Sequence, residues 1–523
     1  MSLKQIVLLL IIFSASSTAC AQLDSKAIKY ANEINEKDAR KHLTILASDE
    51  FEGRDTGKPG GKKAADYIAN EFKKLNLTAP VDNSYLQPVH LIQSKFEVKS
   101  FKLDDRNFKL GDGFYMTGAG EEKTISANEI VFIGYGISDA KYDDLKDIDI
   151  AGKVVLIINQ DEPRNKDHIS YITGTSQGSS WSVQRNKRLH TILAKNPLLI
   201  LAASKEVQQQ LNSMGDSFNK GRMMLKDDFT MPATIPAIAH ITFDFADQFL
   251  KKNCTSLSDL KATIDKNGKP INKVFNTKIT TTFGTIAVPV ESNNVLGYLE
   301  GGDLKDELVV ISAHYDHVGV EDGEIFNGAD DDGSGTTGVI EMAKAFAKSK
   351  EQGDGPRRSI LFLAVTGEEK GLLGSDFYTR YPVFPLKNTV SNLNIDMIGR
   401  VDPIHESNPD YIYLIGSDKL SSDLHRISES VNSKYTKLTL DYTFNDPNDP
   451  ERIYYRSDHY NFAKNGIPVI FYFNGVHEDY HKPTDTVDKI NFELLVKRTK
   501  LVFHTAWEIA NRDQRLVVDS NKK

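Results

Sequence analysis

The spacing of apolar positions changes character twice along the chain. Between residues 27 and 77 apolar residues recur every three or four positions, which predicts amphipathic helices on both sides of a loop at 50–61. From about residue 129 onward, short apolar runs bounded by turn residues predict β-strands. After Val295 runs of strand length alternate with helical patterns. We expect strands over 308–313, 359–365, 391–396 and 467–472, and helices over about 334–349, 371–380, 421–433 and 491–511.

Alternating strands and helices predict an α/β fold with a mixed, mostly parallel sheet that helices cover on both faces. The chain has 523 residues, more than one hydrophobic core accommodates, so we expect two folded units. The pattern predicts an N-terminal part of the main domain over 22–120, an inserted β-rich domain over 121–283, and the rest of the main domain over 284–523. No internal repeat of solenoid length is visible.

The first 21 residues predict a secretory signal peptide. Lys4 precedes an apolar run over 6–13, and small residues lead to Ala19, Cys20 and Ala21. Two processing routes fit: cleavage before Gln22, or acylation of Cys20 as in a lipoprotein. We therefore expect an exported protein, which is periplasmic, an outer-membrane lipoprotein or secreted. No later apolar run is long enough to span a bilayer, so the expected body is soluble and tethered at most through lipid at Cys20.

Composition narrows the classes of protein further. Hydrophobic residues make up 40% and charged residues 26% of the chain, which is typical of a globular protein and unlike a disordered one. The net charge of -8 is spread without a long block of either sign, so nucleic acid is not an expected partner. Without the signal peptide and Cys20, Cys254 has no cysteine with which to form an intramolecular disulfide. Packing, and bound metal if present, must therefore stabilise the fold.

Acidic residues and histidines follow the predicted strands of the second half. His314, Asp316 and His317 follow the first strand, Glu368 and Glu369 the second, and Asp396 the third; Asp330, Asp331 and Asp332 lie in the loop 327–335, and Tyr480 and His481 follow the last strand. In open α/β sheets, ligand sites gather beyond the carboxyl ends of the strands. We therefore expect these side chains to converge on one site.

The charges of this set favour a pair of divalent metal ions. Buried carboxylates repel one another unless positive charge lies among them. Two neutral histidines and three carboxylates carry -3 against +4 from two metals, and a bridging hydroxide brings the sum to zero. Mixed nitrogen and oxygen ligands suit zinc first, with cobalt or manganese as substitutes, whereas calcium prefers oxygen alone.

These motifs resemble the co-catalytic di-zinc aminopeptidase family, which also contains glutamate carboxypeptidase-like and transferrin-receptor-like proteins. The family pattern is His-x-Asp, a Gly-Ala-x-Asp-x-x-Ser-Gly loop, a Glu-Glu pair, a single Asp and a late His; here these are 314–316, 328–335, 368–369, Asp396 and His481. The likeness extends to the 50–61 loop and to residues 456–459. It implies the phosphorylase/hydrolase-like zinc peptidase fold, and the insertion resembles a protease-associated domain.

The resemblance also implies a role for each residue. One zinc would bind His314 and Asp396, the other would bind Glu369 and His481, and Asp331 would bridge both ions. Glu368 would take a proton from the bridging water and pass it to the leaving amine. The Asp316 carboxylate would orient His314. Tyr480 would donate to the developing oxyanion.

The function that fits best is hydrolysis of the N-terminal residue of peptide substrates. A carboxypeptidase or dipeptidase of the same family stays open, because the loops that read the substrate's free terminus, with Asp446 to Arg452 and Arg456 as candidates, cannot be placed. A glutaminyl cyclase and a non-catalytic receptor-like protein are alternatives that the complete ligand set disfavours. We expect His317 and His459 to be structural or to support the ligands. The 50–61 loop is either a connector or a support for the site through Arg54.

Overall fold

The computed structural model describes residues 23–214 and 221–519, so the predicted signal peptide and Cys20 lie outside the described residues. The chain forms two compact units. The discontinuous unit comprises the residues up to Pro88 and those from Ser292 onward, and the inserted unit comprises Val89–Glu291. Within the described ranges, no helix has the length and apolar character needed to cross a membrane.

Seventeen strands are present in the described residues. They are β1 Leu86–Leu103, β2 Arg106–Phe108, β3 Phe114–Ala119, β4 Lys123–Ile133, β5 Val154–Ile158, β6 Leu199–Ala203, β7 Arg222–Leu225, β8 Ile235–Ile241, β9 Asn272–Leu299, β10 Leu304–His314, β11 Gly319–Glu321, β12 Glu324–Phe326, β13 Arg358–Val365, β14 Thr389–Ile395, β15 Tyr411–Ile415, β16 Thr439–Asp441 and β17 Val469–Phe473.

Thirteen α-helices accompany them in the same ranges. They are α1 Ser25–Ala31, α2 Glu36–Leu46, α3 Pro59–Lys74, α4 Ser180–Val183, α5 Arg185–Leu193, α6 Val207–Met214, α7 Phe243–Leu250, α8 Leu257–Asn267, α9 Gly335–Glu351, α10 Leu373–Arg380, α11 Ser422–Val431, α12 His459–Ala463 and α13 Phe492–Asn511.

The discontinuous unit is built on a mixed, mostly parallel sheet, as predicted. Its strand order is β16-β15-β17-β14-β10-β13, followed by the last residues of β9. The pairs of β10 with β13 and β14, of β14 with β17 and of β15 with β16 are parallel. The pairs of β13 with β9 and of β15 with β17 are antiparallel. The four adjacent strands β13, β10, β14 and β17 therefore direct their carboxyl ends to one edge.

Helices cover both faces of this sheet because its strands are apolar on both faces. Val309 and Ile311 of β10 join a core that includes residues of α1, α2, α3, α9 and α13. The alternate residue Val310 joins a second core with Tyr378 of α10 and Phe462 of α12. A strand buried on both sides reads as a continuous apolar run, which is how β10 and β13 were found in the sequence.

The inserted unit has its own sheet and its own core. Strands β4, β5, β6 and β8 pair in parallel, with β3 antiparallel to β8 and the first part of β9 antiparallel to β4. Helices α4 to α8 also lie in this unit, so it is an α/β unit richer in helix than the predicted β-rich domain. It extends beyond the predicted 121–283 on both sides. The earlier start follows from β1 and β3, whose partners β7 and β8 lie far along the chain.

Candidate metal centre

The parallel strands bring three of the predicted segments to one edge of the sheet. His314, the last residue of β10, is in register with Val365, the last residue of β13. The Glu368–Glu369 pair follows β13, and Asp396 follows β14, which also pairs with β10 in parallel. Strand β17 runs parallel to β14 and leads to the turn that carries His481. The sheet topology therefore assembles a site from distant sequence positions.

The ligand atoms of the five predicted residues form two groups that share Asp331. His314 Nε2 lies 3.3 Å from Asp331 Oδ1 and 3.5 Å from Asp396 Oδ1. His481 Nε2 lies 3.0 Å from Asp331 Oδ2 and 3.2 Å from Glu369 Oε2. Within each group the ligand atoms lie no more than 4.8 Å apart. Because Asp331 offers one oxygen to each group, its place is that of a bridging carboxylate.

Several of these atoms are buried without a hydrogen-bond partner, although they face one another. His314 Nε2 and Glu369 Oε1 have none among the described residues. A buried polar atom without a partner costs free energy, and native proteins rarely leave one so. Lone pairs that converge without hydrogen bonding are what a shared cation requires. The residues therefore fit a metal centre, and their imidazole and carboxylate donors fit zinc.

The charges of the cluster perturb its members strongly. Burial would lower the pKa of His314, but the carboxylates of Glu368 and Asp396 raise that pKa well above its ordinary value. Burial would also lower the pKa of His481, but the Asp331 and Glu369 carboxylates raise that pKa to about 10. Burial would raise the pKa of Asp331, yet the surrounding imidazoles hold it well below its usual range. The carboxylates thus recruit any positive charge within reach, and divalent cations would supply it.

The two acids beside Asp331 are committed to the backbone. Asp332 Oδ1 accepts hydrogen bonds from the Gly335 and Met397 N–H groups at 2.8 and 3.0 Å. Asp330 Oδ1 accepts from Gly399 N–H at 2.6 Å. The outer aspartates therefore tie the loop to the segment 397–399, and Asp331 faces the histidines.

Asp316 holds His314 differently from the prediction. The backbone carbonyl of Asp316 lies 3.0 Å from His314 Nδ1, whereas its carboxylate is 3.9 Å away. A carbonyl only accepts, so Nδ1 carries the proton and Nε2 keeps a free lone pair. The Asp316 carboxylate instead accepts from Thr56 Oγ1 at 2.7 Å and from Glu368 N–H at 3.2 Å. One residue thus fixes both the predicted ligand and the predicted base.

Glu368 lines a cavity next to the shared aspartate. The cavity is also lined by Asp331, Asp396 and Tyr480, and its remaining wall consists of Met397, Ile453, Phe471, Phe473, Val476 and Arg456. Burial, opposed by His314 and reinforced by the Asp396 and Glu369 carboxylates, raises the pKa of Glu368 well above its usual range. Glu368 is absent from both ligand groups, which leaves its carboxylate available for proton transfer.

Tyr480 stacks on His481, with ring centroids 4.0 Å apart and planes inclined by 22°. Burial and the neighbouring Asp331 and Glu369 carboxylates raise the pKa of the phenol. The hydroxyl therefore stays protonated at neutral pH and can donate a hydrogen bond. Its predicted role toward a developing oxyanion remains a prediction.

Arg54 supports the loop that carries Asp331. The 50–61 loop is therefore a support for the site and not only a connector. The side chain is 1% exposed. Its guanidinium donates to the carbonyls of Tyr315, Leu46, Asn327 and Gly328 at 2.6 to 2.8 Å. All these acceptors are backbone atoms, so Arg54 ties the end of β10 to the loop that carries Asp331.

His317 and Ser457 also contribute to the site. The sequence prediction made His317 structural or a support for the ligands, and it gave Ser457 no role beyond its place in the 456–459 segment. His317 Nδ1 lies 2.9 Å from Glu369 Oε1 and 3.7 Å from Asp331 Oδ2, and His317 joins the second ligand group. Neither ring nitrogen has a hydrogen bond among the described residues. Ser457 Oγ donates to Asp396 Oδ2 at 2.7 Å. The signal for His317 was its place in the same strand-end segment as His314. His459 is buried, and burial lowers its pKa to about 3, as suits a structural histidine.

The fold and the cluster together define a class: an α/β protein with a candidate two-metal centre at the carboxyl edge of its sheet. Residues 294–506 match the family described as Peptidase family M28, in agreement with the resemblance that the motifs predicted. The ligand set, the Glu-Glu pair and the RSDH segment all lie inside the matched range.

Curated relatives match the same part of the chain. A probable leucine aminopeptidase of Arthroderma otae is 31% identical over 212 residues, which cover 39% of this chain and 55% of that protein. Aminopeptidase YwaD of Bacillus subtilis is 27% identical over 232 residues, covering 43% and 46%. The chain thus spans about half the length of the curated relatives it matches. The solved aminopeptidase from Aneurinibacillus sp. strain AM-1 aligns over 94% of this chain and 98% of its own, at 19% identity and a TM-score of 0.49.

Proposed function

We propose that the chain is an exported zinc-dependent aminopeptidase that removes N-terminal residues from peptide substrates. The observation that carries the proposal is the convergence of five ligand side chains on two groups that share Asp331. His314, Asp396 and Asp331 would hold one zinc, and Glu369, His481 and Asp331 the other. His317 is a candidate for a further ligand on the second side, since its Nδ1 lies 2.9 Å from Glu369 Oε1.

Bound zinc would make a water molecule more acidic and polarise the scissile carbonyl. Glu368 takes the proton of the attacking water and delivers it to the leaving amine, because its carboxylate is free of the ligand groups. Asp316 holds the Glu368 backbone in place through the N–H bond at 3.2 Å. Tyr480, which stays protonated, donates a hydrogen bond to the oxygen on which negative charge develops.

The names of the relatives support aminopeptidase action, and zinc appears in the name of a solved Bacillus subtilis aminopeptidase. Carboxypeptidase and dipeptidase action on the same centre are the competing specificities. Peptides blocked at the N-terminus, blocked at the C-terminus or free at both ends separate the three.

Metal dependence is the first expected result. Elemental analysis of the purified protein should find about two zinc ions per chain. Aminoacyl chromogenic amides should be hydrolysed, a chelator should abolish hydrolysis, and zinc should restore it, with cobalt or manganese as substitutes. N-blocked peptides serve as the matched negative substrates. Metal-replete protein that cleaves neither set would refute the peptidase proposal, and cleavage of N-blocked peptides alone would replace aminopeptidase by carboxypeptidase.

Export is part of the proposal and rests on residues 1–21. The mature protein from its native host should begin at Gln22 or at an acylated Cys20, as N-terminal sequencing and mass spectrometry would show. Protein that retains Met1 and stays inside the cell would contradict export. We propose no nucleic-acid partner and no membrane contact other than lipid at Cys20.

A further inference from the structure

One basic side chain lines the candidate catalytic cavity without taking part in the ligand cluster. The cavity has the metal-binding carboxylates at one end and an apolar wall that includes Met397, Phe471 and Phe473. Arg456 is the one basic residue among those that line it in the described chain. A cation beside an apolar wall selects among ligands, because it offers one polar contact to a ligand whose apolar part packs against the wall.

The backbone holds Arg456 close to the reacting end of the cavity. Arg456 ends the short 3-10 helix Ile453–Tyr455 and directly precedes Ser457. Ser457 Oγ donates to Asp396 Oδ2 at 2.7 Å and accepts from Asn394 Nδ2 at 2.9 Å. The residue next to Arg456 is therefore fixed to one of the predicted ligands. Arg456 therefore lines the same cavity as Asp396 and Glu368.

The ion pair that Arg456 forms in the structure is weak. Among the described residues the one acidic partner of the Arg456 guanidinium is Glu451, with Nη1 and the Glu451 carboxylate 3.8 Å apart. The two side chains are 45% and 69% exposed. Exposed pairs at this distance contribute little to stability, so an incoming carboxylate can replace Glu451. The guanidinium of Arg400, by contrast, is already bound to Asp479 at 2.9 Å.

We infer that Arg456 binds a carboxylate of the peptide substrate. The inference rests on the proposed peptidase function and names the substrate class for it: peptides that place a carboxylate next to the cleaved bond. Arginine is the residue suited to this task, since its planar fork can hold both oxygens of a carboxylate. Two sources supply that group: the side chain of an N-terminal glutamate or aspartate, or the terminal carboxylate of a dipeptide.

Paired substrates that differ only in the carboxylate test the inference. Glutamyl and glutaminyl p-nitroanilides test the side chain, and leucylglycine and leucylglycinamide test the terminal carboxylate. In at least one pair the acid should have the higher kcat/KM. In Arg456→Gln the ratio of kcat/KM for the acid to kcat/KM for its neutral partner should fall at least about tenfold. The change should lie chiefly in KM, since a charged hydrogen bond is lost. Hydrolysis of leucyl p-nitroanilide, which has no carboxylate, should fall less than hydrolysis of the preferred acid.

Arg452→Gln is the matched control. Arg452 belongs to the same loop, stacks on Tyr455 at 4.8 Å and does not line the cavity, so its loss should leave both preferences intact. Arg456→Lys should keep part of the preference, because it retains the charge without the fork. The inference is overturned if neither acid is preferred, or if Arg456→Gln slows neutral and acidic substrates equally.

Calorimetry separates this inference from the proposed function. If the zinc-loaded protein cleaves none of the substrates, the peptidase proposal fails, and binding of L-glutamate against L-glutamine and of leucylglycine against its amide becomes the readout. A tighter acid whose advantage disappears in Arg456→Gln supports carboxylate recognition without catalysis. Equal binding of acids and amides overturns it.

Discussion

Glu368→Gln should lower kcat for aminoacyl amides by at least about a hundredfold, because general-base catalysis of this kind contributes about 10² to 10⁴ in rate. The amide occupies the same volume but cannot accept the proton of the attacking water. Metal content should be unchanged, since Glu368 belongs to neither ligand group. Stopped-time assays measure kcat, and elemental analysis measures the metal content. The unfolding transition of the same preparation shows whether the fold is retained.

Glu369→Gln is the control for the neighbouring position. Glu369 Oε2 lies 3.2 Å from His481 Nε2, so its loss should lower zinc affinity as well as rate. If Glu368→Gln instead releases zinc while Glu369→Gln retains it, the roles of the two glutamates are exchanged. Full activity of Glu368→Gln would remove the proton-transfer role altogether.

Arg54→Met should lower the free energy of unfolding of the discontinuous unit by about 3–5 kcal/mol, the scale of breaking a buried polar network. The substitution preserves the apolar stem but leaves the carbonyls of Tyr315, Asn327 and Gly328 without their donor. Urea titration in the presence of chelator avoids the contribution of bound metal. The chain has two tryptophans, and Trp181→Phe leaves Trp507 of α13 as a reporter of this unit.

Arg358→Met is the matched comparison. Arg358 is also 1% exposed and donates to the carbonyls of Ile509 and Arg512, away from the Asp331 loop. Both variants should be destabilised, but Arg54→Met alone should weaken zinc binding in a chelator competition. If Arg54→Met unfolds at the same urea concentration as the parent protein, the buried hydrogen bonds of Arg54 do not stabilise the fold as predicted. Equal zinc affinity in the two variants would confine Arg54 to stability.

The local pattern predicted the sheet of the discontinuous unit because its central strands are buried on both faces. Strands β10, β13, β14 and β17 and helices α9, α10, α11 and α13 lie within a few residues of their predicted bounds. Strand β15 was not predicted, although Tyr411–Ile415 is a fully buried apolar run with turn residues at 407–410 and 416–418, so the signal for it was present in the sequence. The start of the inserted unit was misplaced because strand pairing between β3 and β8 has no signature in a local window.

The residue types and their places at strand ends predicted which side chains meet. The orientations of those side chains could be read only from the structure. Nothing in the sequence shows that the carbonyl of Asp316, rather than its carboxylate, lies nearest His314 Nδ1. Nor does it show that His317 turns toward Glu369, or that Arg54 points inward at four backbone carbonyls rather than outward to solvent. Such choices depend on the backbone direction at single residues, and Arg54 itself has a positive φ of 54°.

The position of the insertion also sets an order of events during biosynthesis. Helices α1 to α3 precede the inserted unit, yet their apolar residues belong to the same core as α9 and α13, which follow it. Trp507 Nε1 even donates to Asp24 Oδ2 at 2.8 Å, which joins the two extremes of the described chain. A chain that emerges from its N-terminus can complete the inserted unit while α1 to α3 still lack their partners. All the ligand residues follow the insertion in sequence, so the cluster can form only after the inserted unit has been synthesised.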